Sequence, residues 1–397
     1  MACRTCPSPA TDSTVPVVET VDVLVVGAGL AGLHTARRLA LRGVRVLVVD
    51  RRTSLSAGIR TTGIFVRRTL DDFDLPDHLL GPGVREVLIY PPSRRAPVRL
   101  VSDRDEYRVA DMAGVYAHAR RMAEAAGARV RLGTRYVGTG SGVARFAGTD
   151  PAAARFVIGA DGARSRVARD LGLDVNRRFI VGAELVHPIA AGGSAPVFHC
   201  VLDPRVAPGY LGWVIDDGRH AHVGVAGDPA AMRSGLRHLL DDFAADAPGR
   251  GAPTGPIARR GGPIPVGGVL RRLACPAGLL VGDAAGAVSP LTAGGLDPCL
   301  RMSDLAAAVT AEFLRTGDEG VLRRYDGAAL RARFRGRLLL RRAFAGIRSP
   351  LVAEAAVAML RSPAGLAAAA RVLFGDGSFP DVAGPAPDGR TLPLEAA

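Results

Sequence analysis

The sequence predicts an α/β protein in which a Rossmann-type dinucleotide-binding domain is interleaved with an antiparallel β-sheet domain and followed by C-terminal helices. Three observations predict it. Glycine-punctuated segments GAGLAG (27–32), GADGARSR (159–166) and GDAAGAVSPLTAGG (282–295) each close a short apolar run. Residues 84–101 and 178–266 carry alternating strand-like runs broken by Gly and Pro, which suits an antiparallel sheet. Residues 329–373 have helical spacing that breaks at Ser349-Pro350 and Ser362-Pro363.

The first segment has all the parts of a βαβ fingerprint. Residues 21–26 read as a buried parallel strand and 30–42 as a helix ending at Gly43. Between them Gly27 permits the tight turn, Gly29 lets backbone approach a diphosphate, and Gly32 lets the helix pack close while its first amides face the anion. A second strand, 45–49, ends in Asp50, where a carboxylate can accept from a ribose hydroxyl, with Arg51 beside it.

The next two segments extend the grip. Residues 156–160 read as a strand running into Asp161-Gly162, and 279–281 as one running into Gly282-Asp283. Pro290 ends the following loop, Gly294 and Gly295 allow backbone close to a flat ring, and Leu296 opens a helix over 296–310 whose positive end faces that ring. A phosphate loop, a central Asp-Gly turn and a late Gly-Asp strand end together form the set needed for one extended dinucleotide, and their order selects FAD over NAD.

With these motifs the chain resembles the para-hydroxybenzoate hydroxylase-like FAD-dependent oxidoreductases, and within them the geranylgeranyl reductase-like branch. The resemblance spans about 21–326, is firm at the three motifs and diffuse between them. It implies that Asp283 binds the ribityl chain and that Asp161-Gly162 lies where FAD and an incoming nicotinamide cofactor both pass. Aromatic hydroxylases commonly have His after GDAA; this chain has Gly286 and continues VSPLTAGGL, as in the reductase pattern. Two departures stand out. Where the branch usually has Cys-Gly near the flavin, the chain has Arg60-Thr61-Thr62-Gly63, and where it has an aromatic YxWxFP motif, the chain has Tyr210-Leu211-Gly212-Trp213-Val214-Ile215-Asp216. Related flavin halogenases depend on a Lys, and this sequence contains none.

The expected domains are a FAD-binding domain over 20–53, 107–172 and 270–328, a substrate domain over 54–106 and 173–269, and helices over 329–373, with a disordered tail at 1–20 and a loose one at 374–397. The net charge of +13 consists of scattered Arg residues with few aromatics, so nucleic acid is not an expected partner. The N-terminus has no export signal and no apolar stretch is long enough to span a membrane, which predicts a cytoplasmic protein. Five Cys form no disulfide framework, and His199, His220 and His222 sit in strand-like runs without metal-ligand spacing, so no metal is expected. In 329–347, Leu330, Phe334 and Leu338 share one face and arginines populate the others. That pattern fits a helix docked on the core, or peripheral contact with an anionic membrane.

The expected chemistry is reduction of FAD by NAD(P)H, followed by oxygenation or oxidation of a hydrophobic specialised metabolite. The alternatives are C=C reduction of an isoprenoid or polyketide, a redox-neutral lycopene cyclase-like reaction, and a non-catalytic FAD- and lipid-binding role. Arg60 and Thr62 on the flavin-facing segment and Tyr210 and Trp213 on the substrate sheet are the candidate catalytic residues, Arg60 to hold an anionic group and Tyr210 to donate a proton.

Overall fold

A computed structural model describes residues 19–190, 195–232 and 235–374. The tails expected at 1–20 and 374–397 fall almost wholly outside them. Among the described residues two large sheets form, of eight and seven strands. In the first, Ala274–Cys275, Gly278–Leu280, Thr149–Gly159, Glu19–Val26, Val46–Val49 and Arg129–Arg131 lie in that order, parallel except for the short edge pair at Ala274–Cys275. Two further strands, Val143–Ala147 on Thr149–Gly159 and Arg135–Gly140 on Val143–Ala147, add antiparallel. Val46–Val49 is buried throughout, and so is most of Glu19–Val26, because helices cover the sheet. Helix Leu30–Ala40 packs between Met112–Ala125 and Leu296–Thr316. The expected FAD-binding motifs thus lie at the carboxyl ends of neighbouring parallel strands, where open α/β sheets bind ligands.

The second sheet runs Ala258–Pro265, Phe179–Pro188, His220–Gly227, Gly212–Asp216, Val197–Val201, Glu86–Tyr90 and Val98–Val101. It is antiparallel except at one place: Val197–Val201 pairs parallel with Glu86–Tyr90, because the two strands are joined through the other domain and not by a hairpin. Helix Leu236–Asp246 buries one face, with Leu240 and Phe243 against Leu185, Val214, Val223 and Val225. The opposite face carries Ile180, Trp213, Ala226 and Ile264, and Ala293 of the third glycine segment packs against it.

The helix expected over 329–347 is two helices, Gly327–Ala332 and Arg335–Ala345, separated at Arg333 and Phe334. Leu330 and Phe334 are buried in the core of the first domain. Arg341 is buried as well, its Nη1 donating to the Gly209 carbonyl at 2.7 Å and its guanidinium over the Tyr210 ring. This helix is therefore docked through an arginine, a face the amphipathic pattern assigned to solvent. Pro350–Leu360 and Pro363–Leu373 follow, each starting at its expected Ser-Pro break. Among the described residues no single helix is long and apolar enough to cross a membrane.

Candidate FAD site

The three glycine segments converge. Gly27 N–H donates to Val49 O, Ala160 N–H to Val26 O and Val281 N–H to Gly159 O, at 2.8, 2.8 and 2.9 Å, so adjacent strands end level. Gly27 has φ of 111°, and a Cβ there would lie 2.2 Å from Ala160 O; one on Gly32 would lie 1.9 Å from Gly27 O. These two glycines close the first turn against the second segment and the helix against the turn. Gly29 differs, since a Cβ on it meets nothing within 4 Å. It is the N-cap of helix Leu30–Ala40 and supplies no side-chain cap, leaving the first-turn amides free for an anion.

Asp50 is 8% exposed and accepts from Ala28 N–H at 2.8 Å and from the backbone and guanidinium of Arg52. Burial raises its pKa, but the Arg52 and Ala28 hydrogen bonds outweigh that and hold it below the ordinary value. Arg51 is exposed, and the guanidinium on Asp50 is that of Arg52, which also donates to Ala28 O at 3.1 Å and lies over the Tyr116 ring. Asp50 and Arg52 thus lock the turn, and a ribose hydroxyl would share the same carboxylate.

In the second segment Asp161 Oδ2 accepts from Arg166 and Val167 N–H and so starts the helix Arg166–Asp170, while Oδ1 is buried without a partner. Gly162, at φ 83°, completes the turn and borders open space. In the third, Gly282 abuts Ala31 of the first helix. Asp283 opens into the cleft, yet protein atoms surround it so closely that desolvation pushes its carboxyl up to about 6. Pro290 is buried, and Gly294 O accepts from Ser289 N–H at 2.9 Å to close the loop. Gly295 faces Val288 and Asp283 and is the N-cap, again without a side-chain cap, of the helix that Leu296 opens.

One residue ties two segments together. Asn176 Nδ2 donates to Ala163 O at 3.1 Å and to Asp283 O at 2.8 Å. FAD has complementary parts: a diphosphate for the uncapped amides at Gly29, and hydroxyls for carboxylate oxygens left without partners at Asp161 and Asp283. The donor set fits the cofactor, which the bound state would hold along these three turns.

Segment 60–63 runs beside the open face of the second sheet. Arg60 is exposed, its Cδ near Gly262. Thr62 Oγ1 donates to Glu184 Oε2 at 2.8 Å. Arg260 Nε donates to Glu184 Oε1 at 2.5 Å, Arg260 Nη2 lies 3.0 Å from His222 Nδ1, and His222 Nε2 lies 3.2 Å from Asp217 Oδ2. Glu184 and His222 are both 3% exposed, so this chain of polar groups runs through the domain toward the Asp217 turn. Asp217 is held well below the usual carboxylate range: burial opposes this, and the hydrogen bonds from His222 and from the His220 and Arg219 amides prevail.

Tyr210 and Trp213 share an apolar cluster on that face with Ile180, Ala226 and Val266. Burial pushes the Tyr210 phenol up, partly offset by Arg341, so the side chain is a wall more than an acid. Trp213 Nε1 is buried without a partner. Sequence reasoning did not single out Glu184, Arg260, Arg52 or the bridging role of Asn176. Glu184 had a signal, as the one acid within the apolar run FIVGAELVHP.

Comparison with known proteins agrees with this geometry. The FAD binding domain family matches residues 20–187. Digeranylgeranylglycerophospholipid reductase 1 of Methanopyrus kandleri is 30% identical over 326 residues, 77% of this chain and 84% of that protein. The enzyme of the same name from Methanothermobacter thermautotrophicus is 31% identical over 337 residues, 76% and 80% of the two chains. A geranylgeranyl bacteriochlorophyll reductase-like protein from Thermoplasma acidophilum superposes with a TM-score of 0.77 at 24% identity, over 91% of this chain and 98% of that one. A p-nitrophenol 4-monooxygenase from Pseudomonas putida superposes at 0.65 with 20% identity, over 86% and 93%; both likenesses are of fold. The chain belongs to the geranylgeranyl reductase-like branch of the para-hydroxybenzoate hydroxylase-like FAD-dependent oxidoreductases.

Proposed function

We propose that this FAD-dependent oxidoreductase saturates carbon–carbon double bonds of a hydrophobic, isoprenoid-class substrate, with NAD(P)H as reductant. The observation that carries the reading is the relation to digeranylgeranylglycerophospholipid reductases over three quarters of the chain. Oxygenation, expected from the departures at Arg60–Gly63 and Tyr210–Asp216, has support only from neighbours that share the fold at 20% identity or so.

Bound FAD, once reduced, supplies a hydride. The chain itself must exclude water, hold the alkene flat and deliver a proton to the carbon that the hydride does not take. The cluster of Ile180, Tyr210, Trp213, Ala226 and Val266 serves the first two needs. For the third, Thr62 and Glu184 form a relay: a proton taken up by the Glu184 carboxyl would pass to the Thr62 oxygen as that hydroxyl gives its own proton to the carbon, leaving Glu184 ionised beside Arg260. Arg60, exposed at the edge of the same segment, would meet an anionic substrate group. The test is anaerobic: FAD-loaded protein is bleached with dithionite and mixed with a geranylgeranyl phospholipid. Return of the oxidised flavin spectrum on adding the lipid supports reduction; return only on admitting oxygen, with lipid accelerating it, supports oxygenation.

Peripheral membrane contact through the C-terminal helices belongs to the same reading. Leu339, Leu340, Leu351, Val352 and Met359 are exposed there, beside exposed Arg335 and Arg342. Co-sedimentation with anionic vesicles, lost in Leu351→Ser/Met359→Ser, is the expected result.

A further inference from the structure

Behind the third glycine segment is a cavity of about 350 Å³ with arginines on several sides. Arg177 and Arg178 come from the stretch leading into the second sheet, Arg271 from the stretch before Ala274–Cys275, and Arg331 from helix Gly327–Ala332. Its acid, Asp174, is engaged with backbone: Oδ2 accepts from Arg271 and Arg272 N–H at 3.2 and 3.0 Å. Among the described residues no carboxylate lies within 4.0 Å of the four guanidinium groups.

What sets the four apart is that they gather around one cavity with no carboxylate among the described residues paired to them to offset their charge. Arg45, Arg52, Arg99, Arg205, Arg260 and Arg301 all meet carboxylates at 3.1 Å or less. Arg331 is half-buried and anchored, its Nη1 donating to Gly267 O at 2.7 Å and Val269 O at 2.9 Å. Its pKa is held down by burial and then by repulsion from Arg271, Arg178 and Arg342, so the field at the cavity is positive and unrelieved.

We propose that this cavity is a binding site for a phosphate-bearing group, a phosphomonoester or diphosphate. A carboxylate is matched by one arginine fork, whereas a phosphoryl group offers three acceptor oxygens and up to two charges to several forks at once. The site is separate from the turn at Gly29 and does not depend on which reaction the flavin performs. It shares a wall with the FAD cleft, since Asn176 lines it and donates to Asp283 O, and Gly286 lies against Gly268 O. The phosphate has two sources, a reduced nicotinamide dinucleotide phosphate or the headgroup of a lipid.

The test uses the full FAD-loaded chain and inorganic pyrophosphate, titrated calorimetrically at fixed salt. Arg178→Gln/Arg271→Gln removes two exposed side chains and leaves the core intact; Arg95→Gln/Arg104→Gln removes the same charge elsewhere on the surface. The pocket variant should bind pyrophosphate about tenfold more weakly or worse, and the control within about twofold of the parent. No binding by the parent at millimolar pyrophosphate, or equal weakening in both variants, overturns the site. The source is read separately. A raised KM for NADPH with that for NADH unchanged identifies the nucleotide phosphate, and lost binding to phosphatidic acid vesicles with NADPH kinetics unchanged identifies the headgroup.

Discussion

Gly29→Ala separates the fold from its cofactor. Gly29 has φ −77° and ψ 179°, backbone that alanine adopts freely, and its Cβ would enter open space. The ligand-free variant should therefore keep its stability within about 0.5 kcal/mol, as surface substitutions usually do. The methyl group does stand where a diphosphate must approach the amides of helix Leu30–Ala40. Losing charge-assisted hydrogen bonds there costs about 1.5–3 kcal/mol, or roughly ten- to a hundredfold in affinity. At FAD one hundred times the parent Kd, binding stabilises the parent by about 2.7 kcal/mol, and a hundredfold weaker variant by about 0.4 kcal/mol. Gly27→Ala and Gly32→Ala are the contrast: their methyl groups would meet carbonyl oxygens at 2.2 and 1.9 Å, so both should lose stability without any ligand. Denaturant melts of all three with and without FAD are the assay. A full FAD-dependent shift in Gly29→Ala refutes the phosphate loop, and so does its unfolding when FAD is absent.

Asp283 gives a pH dependence. Its carboxyl is raised by desolvation from 3.8 to about 6, so the ligand-free fold takes up a proton that the unfolded chain releases; this stabilising uptake is full below about pH 4 and lost as pH rises through 6. The ionised carboxylate is the stronger acceptor for FAD hydroxyls, so FAD affinity should rise as pH passes upward through about 6; Asp283→Asn should flatten a fluorescence titration over that range. Arg260→Leu leaves Glu184 as an unpaired buried charge and should cost about 3–5 kcal/mol by urea unfolding, with Glu184→Met/Arg260→Leu recovering most of it. Glu184→Gln should keep FAD content and lower kcat at least tenfold with a changed pH profile, in stopped-flow turnover. Asn176→Ala should loosen the second and third segments from each other and raise the Kd for FAD with little change in kcat.

The cofactor-binding half was legible in the sequence because its signals are local. A turn at Gly27, an uncapped helix start at Gly29 and a strand-ending acid at Asp50 lie within one βαβ unit. The boundary of Leu30–Ala40 differs from expectation by two residues, at a fraying end. The substrate side was less legible because its contacts are remote in sequence. Thr62 meets Glu184 across 122 residues and Arg260 meets Glu184 across 76, so no window of sequence shows that the three form one group. Arg51 and Arg52 are adjacent and chemically alike, and only the turn geometry selects Arg52 for Asp50. Periodicity placed Arg341 on a solvated face, but Tyr210 and the Gly209 carbonyl draw it inward.

The most direct measurement is the mass of the product. Incubated without oxygen with NADPH and a digeranylgeranyl phospholipid, the FAD-loaded protein should return lipid heavier by two hydrogens for each double bond saturated. Lipid recovered unchanged without oxygen, but heavier by one oxygen atom in air, would contradict the account.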